Sequence, residues 1–453
     1  MKKNILIGIA TFLILAMIII LFVTKNVVDN KASEIAKEEL PKILEKAKND
    51  LEALDLPSSI TYQNVSVSSV GGHLLLEDVN ITDNNGPSFF CDEIKIGTSY
   101  KELFSMIKSQ DFNEINSFFL EFENVNIIRP FSSVNSGSSN HKIANNIRID
   151  YDGKLTKEMI KNIEYEFPPE NQKLTFTIKG LNIPEEEYYL LGIQNIIRNF
   201  EPSMLKTDLS FSLEFLPKQK QFGITNVYSK NKIGFFEGDF IVKYYGTNPN
   251  NITVNKISAI GKSDVDYKGI EIQNENMSMT LGRGDMNFDV SISGDLDEMD
   301  DSEIFQNALG DIKISFKDFT ITPSYDMIRE VQRDFPDFKL KNNKLDFSNI
   351  GGTIKWDGRR FTNNINISSS LATIKSNIDM NLKFDRRGEP DFSKSRLNKC
   401  VLRIGNLDKN LEELIESLES QMLMGQSLPR KGNDIVLNVT GSFSNPEIEG
   451  LNF

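Results

Sequence analysis

"LTFTIKGLNI" (174–183) is a strand that changes step. Leu174, Phe176 and Ile178 alternate with Thr175, Thr177 and Lys179; Gly180 shifts the phase, and Leu181 and Ile183 resume it. "IKISFKDFTI" (312–321) slips in the same way at Asp318, and "FFLEFENVNI" (118–127) at Asn124, while "HLLLEDVNIT" (73–82) does so more loosely. Successive side chains on a strand point to opposite faces, so one extra residue sends the remainder to the wrong side. A β-bulge absorbs the extra residue, bends the strand and increases its twist. Gly, Asn and Asp tolerate the backbone angles this needs. Bulges at matching places in successive strands curl a sheet one way, toward a gutter.

The same period of two runs from Ile60 onward, in "ITYQNVSVS", "DLSFSLEF", "DFIVKYY", "GDMNFDVSISG", "SNIDMNLKF" and "DIVLNVTGSF". Each alternation gives a strand one dry and one wet face. Clusters such as "TDNNGP", "GTNPNN" and "DRRGEP" mark turns between them. About twenty strands follow, in antiparallel meanders. Helical stretches interrupt them: "YKELFSMIKSQ" (100–110), "PEEEYYLLGIQNIIRNF" (184–200), "TPSYDMIREVQRDF" (322–335) and "NLDKNLEELIESLESQM" (406–422). Phe176 aligns with Ile314 and Leu181 with Phe319, an offset of 138 residues (314 − 176). A degenerate repeat of interrupted strand, helix and strand thus recurs near 174–245 and 312–384, which predicts an elongated architecture whose neighbours cover one another.

Ile5–Val23 carries no charge over 19 residues (5 to 23 inclusive). As a helix it spans roughly 28 Å, against a hydrocarbon core of about 30 Å. A cleaved signal peptide has a shorter apolar region and a small-x-small site; here Leu21, Phe22 and Val23 run straight into Lys25. Residues 1–24 therefore read as a transmembrane anchor, and Lys2 and Lys3 place its N-terminus in the cytoplasm. Residues 25–57 read as a stalk helix with a stripe of Leu40, Ile43, Leu44, Ala47, Leu51 and Leu54, ended by Pro57. Residues 58–453 form the repetitive β-rich domain.

Among 453 residues, 51 Lys and Arg stand against 64 Asp and Glu, a net charge of −13. A nucleic-acid partner needs a basic face, so that class is excluded. Cys91 and Cys400 make neither a disulfide framework nor a zinc site, and a single bridge between them stays open. His73 and His141 have no obvious partner. Phosphate loops, HExxH and nucleophile elbows are absent, so no enzyme, metal or cofactor is expected. "GRGD" (282–285) reads as a hairpin turn. "GDLDEMDDSE" (294–303), with Asp295, Asp297, Asp300, Asp301 and Glu303, lacks calcium-loop spacing and reads as a solvated loop. What remains is the dry stripe: Phe118, Leu120, Phe122, Phe176, Ile178, Leu209, Phe211, Leu213, Ile314 and Phe316. It is either an ordinary sheet core or an open groove for acyl chains.

The anchor, then "ITYQNVSVSSVGGHLLLEDVNI" and "CDEIKIGTSYKELFSMIKSQDFNEINSFFLEFENVNIIRP", resembles the opening of AsmA-like proteins, and the terminal "NDIVLNVTGSFSNPEIEG" resembles their ending. The N-terminal arrangement is also similar to YdgA-like envelope proteins. The resemblance implies a single-pass protein of the Gram-negative inner membrane, projecting into the periplasm and linked to phospholipid transport and outer-membrane homeostasis. The fold expected is mainly β: an elongated, curved antiparallel sheet, groove-like, with short interspersed helices behind the anchor and stalk. Its expected partner is membrane lipid, bound or conducted in the groove. The alternative is a structural envelope protein that acts through protein partners.

Overall fold

The computed structural model describes residues 59–68, 73–82, 88–98, 114–129, 139–156, Met159, 166–183, 201–249 and, but for short breaks, 251–451. The anchor, the stalk and the helices expected over 100–110 and 184–200 lie outside the described residues. The described chain is mainly β, and its strand pairings are antiparallel. The β-rich domain expected as one piece divides into two compact units. Unit 1 takes the chain up to 194 with 205–232 and 243–252, and unit 2 takes 195–204, 233–242 and 253–453.

In unit 1, β1 (Ser59–Thr61) and β2 (Asn64–Ser68) pair side by side with β3 (His73–Thr82). A meander continues through β4 (Ser88–Gly97), β5 (Glu114–Arg129), β6 (Ser139–Thr156), β7 (Gln172–Leu181), β8 (Thr207–Leu216) and β9 (Gln221–Lys230). After β10 (Gly234–Gly246), unit 2 runs from β11 (Ile252–Asp266) through β12 (Glu271–Gln273), β13 (Met277–Thr280), β14 (Arg283–Ser293), β15 (Ala308–Lys317) and β16 (Phe319–Pro323). Then come β17 (Leu345–Asp357), β18 (Arg360–Ser369), β19 (Thr373–Asn381), β20 (Arg396–Gly405), β21 (Arg430–Lys431), β22 (Asp434–Ser442) and β23 (Asn445–Ile448). Hydrogen-bonded order in unit 2 is β11, β14, β15, β17, β18, β19, β20, β22, β23.

The phase slips are real backbone events. Asp78, Asn124, Gly180 and Asp318 have φ of 51°, 53°, 64° and 56°, left-handed angles that Gly, Asn and Asp accept most cheaply. At Gly180, β7 takes three steps (Ile178 to Leu181) while β8 takes two (Leu209 to Thr207), which is a bulge. At Asp318 no residue is extra: Phe316 pairs with Ile350 and Phe319 with Phe347, three steps on each side. The register shift expected there falls instead on the next pair, between Phe347 and Asn349 of β17. A fifth slip, Asn226 at φ 51°, lies in β9, where Ser210 faces Tyr228 and Ser212 faces Thr225. The five share one local pattern, apolar, polar, Asx or Gly, apolar, as in Ile178-Lys179-Gly180-Leu181 and Ile224-Thr225-Asn226-Val227.

In unit 1 three slips line up. The residues just before them, Glu77, Glu123 and Lys179, fall on one row of successive cross-strand partners, with Glu93 and Asn146 between them. Short polar side chains lace the row: Asn124 Nδ2 donates to Asp92 at 2.7 Å, Lys142 Nζ to Asn124 Oδ1 at 2.7 Å, and the Gly180 N–H to Asp208 at 2.8 Å. A Cβ on Gly180 would stand 2.7 Å from Lys206 Cε. Gly180→Val, β-branched at left-handed φ, is expected to cost roughly 1–3 kcal/mol. An unchanged denaturation midpoint would show that the bulge relaxes without strain.

Besides a single helical turn at Pro202–Leu205, the described residues hold three longer α-helices: two stand where expected, α2 and α3 in chain order, and a third does not. The acidic stretch read as a loop ends in α1 (Asp301–Asn307), because Asp300 accepts the Glu303 N–H at 3.0 Å as an N-cap. Asp297 is likewise engaged, accepting the Val254 N–H at 3.2 Å. α2 (Tyr325–Asp334) follows β16, capped by Ser324, and α3 (Lys409–Met422) follows β20. The Arg-Gly-Asp triplet is not a turn. Arg283, Gly284 and Asp285 lie inside β14, between Asp266, Val265 and Asp264 on one side and Lys317, Phe316 and Ser315 on the other. Gly282 is used there for closeness: a Cβ would meet the Asp318 carbonyl oxygen at 2.5 Å.

Candidate functional site: the dry faces of the two units

In unit 1 the dry face closes at one end and opens toward the other. Leu74, Leu76, Ile94, Ile115, Phe118 and Leu120, on β3 to β5, are buried in one core with Val79 and Cys91. Ile147 and Ile149 on β6 pack against that core but are only half-buried, as is Phe122. Phe176 and Ile178 on β7 and Leu209 and Phe211 on β8 are half-buried too. Leu213 is 36% exposed, and Phe222 and Ile224 on β9 are 37% and 38% exposed. Of the stripe read from the sequence, Phe118 and Leu120 therefore belong to closed core, at 3% and 0% exposure, and the later residues to accessible surface. The pairing brings the later ones together: Leu174 faces Leu213, Phe176 faces Phe211 and Ile178 faces Leu209.

Aromatic rings punctuate this face. Phe118 stacks on Tyr151 with centroids 4.9 Å apart, and Phe176 on Phe211 at 4.8 Å. Beyond them Phe167 and Phe222 gather on Tyr244 at 5.3 and 6.0 Å, with Phe215 at 5.1 Å from Phe167. Burial raises the Tyr151 and Tyr244 phenols above their ordinary range, so both rings are neutral. Cys91 in the core and Cys400 in unit 2 are free thiols. Burial, with Asp92 adding to it, pushes the Cys91 thiol up to about 12.

Unit 2 repeats the arrangement on a wider lattice. One row of direct partners reads Gly284, Phe316, Ile350, Ile367, Ile374, Ile404, Ile435 from β14 to β22. A parallel row reads Gly261, Phe288, Ile312, Ile354 from β11 to β17. Among the described residues of β11 to β20 and β22, the buried apolar side chains lie toward the far strands, at Met380, Leu397 and Ile435, with Leu382 just after β19, while Ile314 is half-buried and Phe316 is 40% exposed. Two glycines explain why the surface stays low. A Cβ on Gly261 would meet the Phe288 ring at 2.5 Å, and one on Gly284 the Phe316 ring at 2.9 Å. Each ring therefore lies down over its neighbour's bare backbone instead of standing off the sheet.

The charges occupy the opposite faces. Lys95 bridges Glu93, at 3.2 Å, and Glu123; the hydrogen bond it donates to Glu123 is the main cause that raises its pKa. Arg148 grips Asp150 at 2.7 Å and Glu121 at 3.4 Å, with its guanidinium 4.5 Å above the Phe119 ring. Arg360–Asp379 at 2.8 Å and Arg403–Asp434 at 2.5 Å do the same across unit 2 strands. Such exposed pairs add little stability each, but they fix which side is wet. Among the described residues no group of His, Cys, Asp and Glu is arranged to hold a metal ion, and no helix is long and apolar enough to cross a membrane. Chemically the dry faces offer contact area for hydrocarbon and little else. No protein-family model, curated protein or solved structure matches the chain.

Proposed function

We propose that this is an envelope protein, anchored in the bacterial inner membrane by residues 5–23, whose periplasmic part binds or conducts lipid acyl chains on its dry sheet faces. Its role on this reading is phospholipid transport and outer-membrane homeostasis, without catalysis. One observation carries it: apolar faces on β7–β9 of unit 1 and β11–β18 of unit 2 are left half-open, whereas a sheet core is normally sealed. The aligned slips of β3, β5 and β7 support a curved, groove-like sheet, since bulges add twist at the same place in each strand. The resemblance to AsmA-like and YdgA-like proteins supports the same place and cargo. A scaffolding protein is the second reading, favoured by the closure of Phe118 and Leu120, with protein partners covering the rest.

Full-length protein purified from the membrane and washed free of bulk lipid is expected to retain phospholipid or fatty acyl chains, detected by mass spectrometry of an organic extract. Photoactivatable acyl chains should label peptides from β7–β9 or β14–β17. Labelling confined to the anchor would overturn the acyl-binding reading and favour the scaffold.

A further inference from the structure

From β14 to β20 the dry positions of unit 2 are apolar or glycine except for Ser369 at the end of β18 and a polar pair near the middle. Asn363 on β18 stands between Ile354 of β17 and Ile378 of β19. Ser376 on β19 stands between Ile365 of β18 and Leu402 of β20. All four neighbours are half-buried. Strand propensity and the rows on either side call for Ile or Val at both places, and Asn is a poor strand former. Neither residue caps a helix, makes a turn or sits at a slip.

The two are bonded to each other: Ser376 Oγ donates to Asn363 Oδ1 at 3.1 Å. An amide carries one acceptor and two N–H donors. The serine engages the oxygen, so the two N–H groups of Nδ2 remain to be met by another acceptor. A donor set in hydrocarbon costs free energy unless something accepts from it. The cross-strand partners Ile354 and Ile378 are hydrocarbon and supply no acceptor.

We propose that Asn363 is the polar contact for a bound lipid, donating from Nδ2 to the carbonyl oxygen of an acyl ester, with Ser376 holding the amide in place. The dry face of unit 2 then selects ester-linked acyl chains over ether-linked chains or plain alkane, because only the ester offers a carbonyl at that depth. This rests on the acyl-binding reading above and adds the chemical group recognised.

The test compares a diacyl phosphatidylethanolamine with its dialkyl ether analogue, each displacing a diphenylhexatriene probe from full-length protein. Wild-type protein is expected to prefer the ester by about three- to tenfold, the span of one net hydrogen bond. In the double variant Asn363→Leu/Ser376→Ala the preference should vanish while the ether analogue binds as before. Removing both partners leaves no orphaned polar atom, so the thermal midpoint should hold. A wild-type protein indifferent to the linkage, or a preference that persists in the double variant, overturns the assignment to Asn363. If neither lipid displaces the probe from wild-type protein, the acyl-binding reading itself fails.

Discussion

Leu120→Asp is expected to prevent unit 1 from folding. Leu120 is fully buried beside Ile115 and Phe118, in the core shared by β3, β4 and β5. Truncation to alanine there should cost about 2–5 kcal/mol through lost burial and a residual cavity. Aspartate adds the cost of desolvating a carboxyl with no partner, which brings the loss to about the 5–15 kcal/mol that holds a whole domain together. Failure to accumulate, or loss of a cooperative transition in denaturant, is the outcome to look for. A well-folded Leu120→Asp protein would mean that the dry face is open at β5 as well.

Phe211→Asp separates the two functions because Phe211 sits on the accessible half of the same face. It stacks on Phe176, and the next residue on the same face of β8 is Leu213, which water already reaches. The carboxylate can stay hydrated, so the loss is expected to be that of one partly buried aromatic pair, about 1–3 kcal/mol. Acyl-chain crosslinking to β7–β9 should nevertheless fall several-fold or more, since hydrocarbon cannot lie against an ionised group without desolvating it. Thermal unfolding and photo-crosslinking on the same sample decide it. Collapse of the fold would place Phe211 in closed core; intact folding with undiminished crosslinking would remove it from any lipid site.

Much of this was legible because strand periodicity is unforgiving. A slip in an alternation of period two has only a few backbone solutions, so Asn124, Gly180 and Asp318 could be picked out by residue type and phase, and the stretch 73–82 more loosely, without Asp78 being singled out. Asn226 carries the same four-residue pattern and escaped notice because Thr225, which precedes it, is itself buried and blurs the alternation. The Asp300–Glu303 cap was written in the acidic stretch as an acid three residues before another, and the concentration of charge hid it. The Arg-Gly-Asp triplet misled because glycine signals either a turn or a close approach, and only the partner strands tell which. Alternation also says which face is dry but not what lies above it. Leu120 and Phe211 lie on one row of cross-strand partners, linked through Ile149 and Phe176, yet one is sealed and the other is not.

The last strand has a bearing on how copies of this chain behave side by side. Among the described residues β23 pairs only with β22, through Gly441 opposite Pro446, and the Glu449 N–H donates to the Asn438 carbonyl at 3.0 Å. Alternation along an antiparallel ladder then turns the backbone nitrogen of residue 446 away from β22, toward the free rim. Proline places no hydrogen there and fills the space with its ring. An incoming strand from another molecule would meet a gap in its ladder and a steric bump at the same point. Crowding therefore does not easily stitch unit 2 into strand-linked aggregates, and the rim stays single however many copies are packed together.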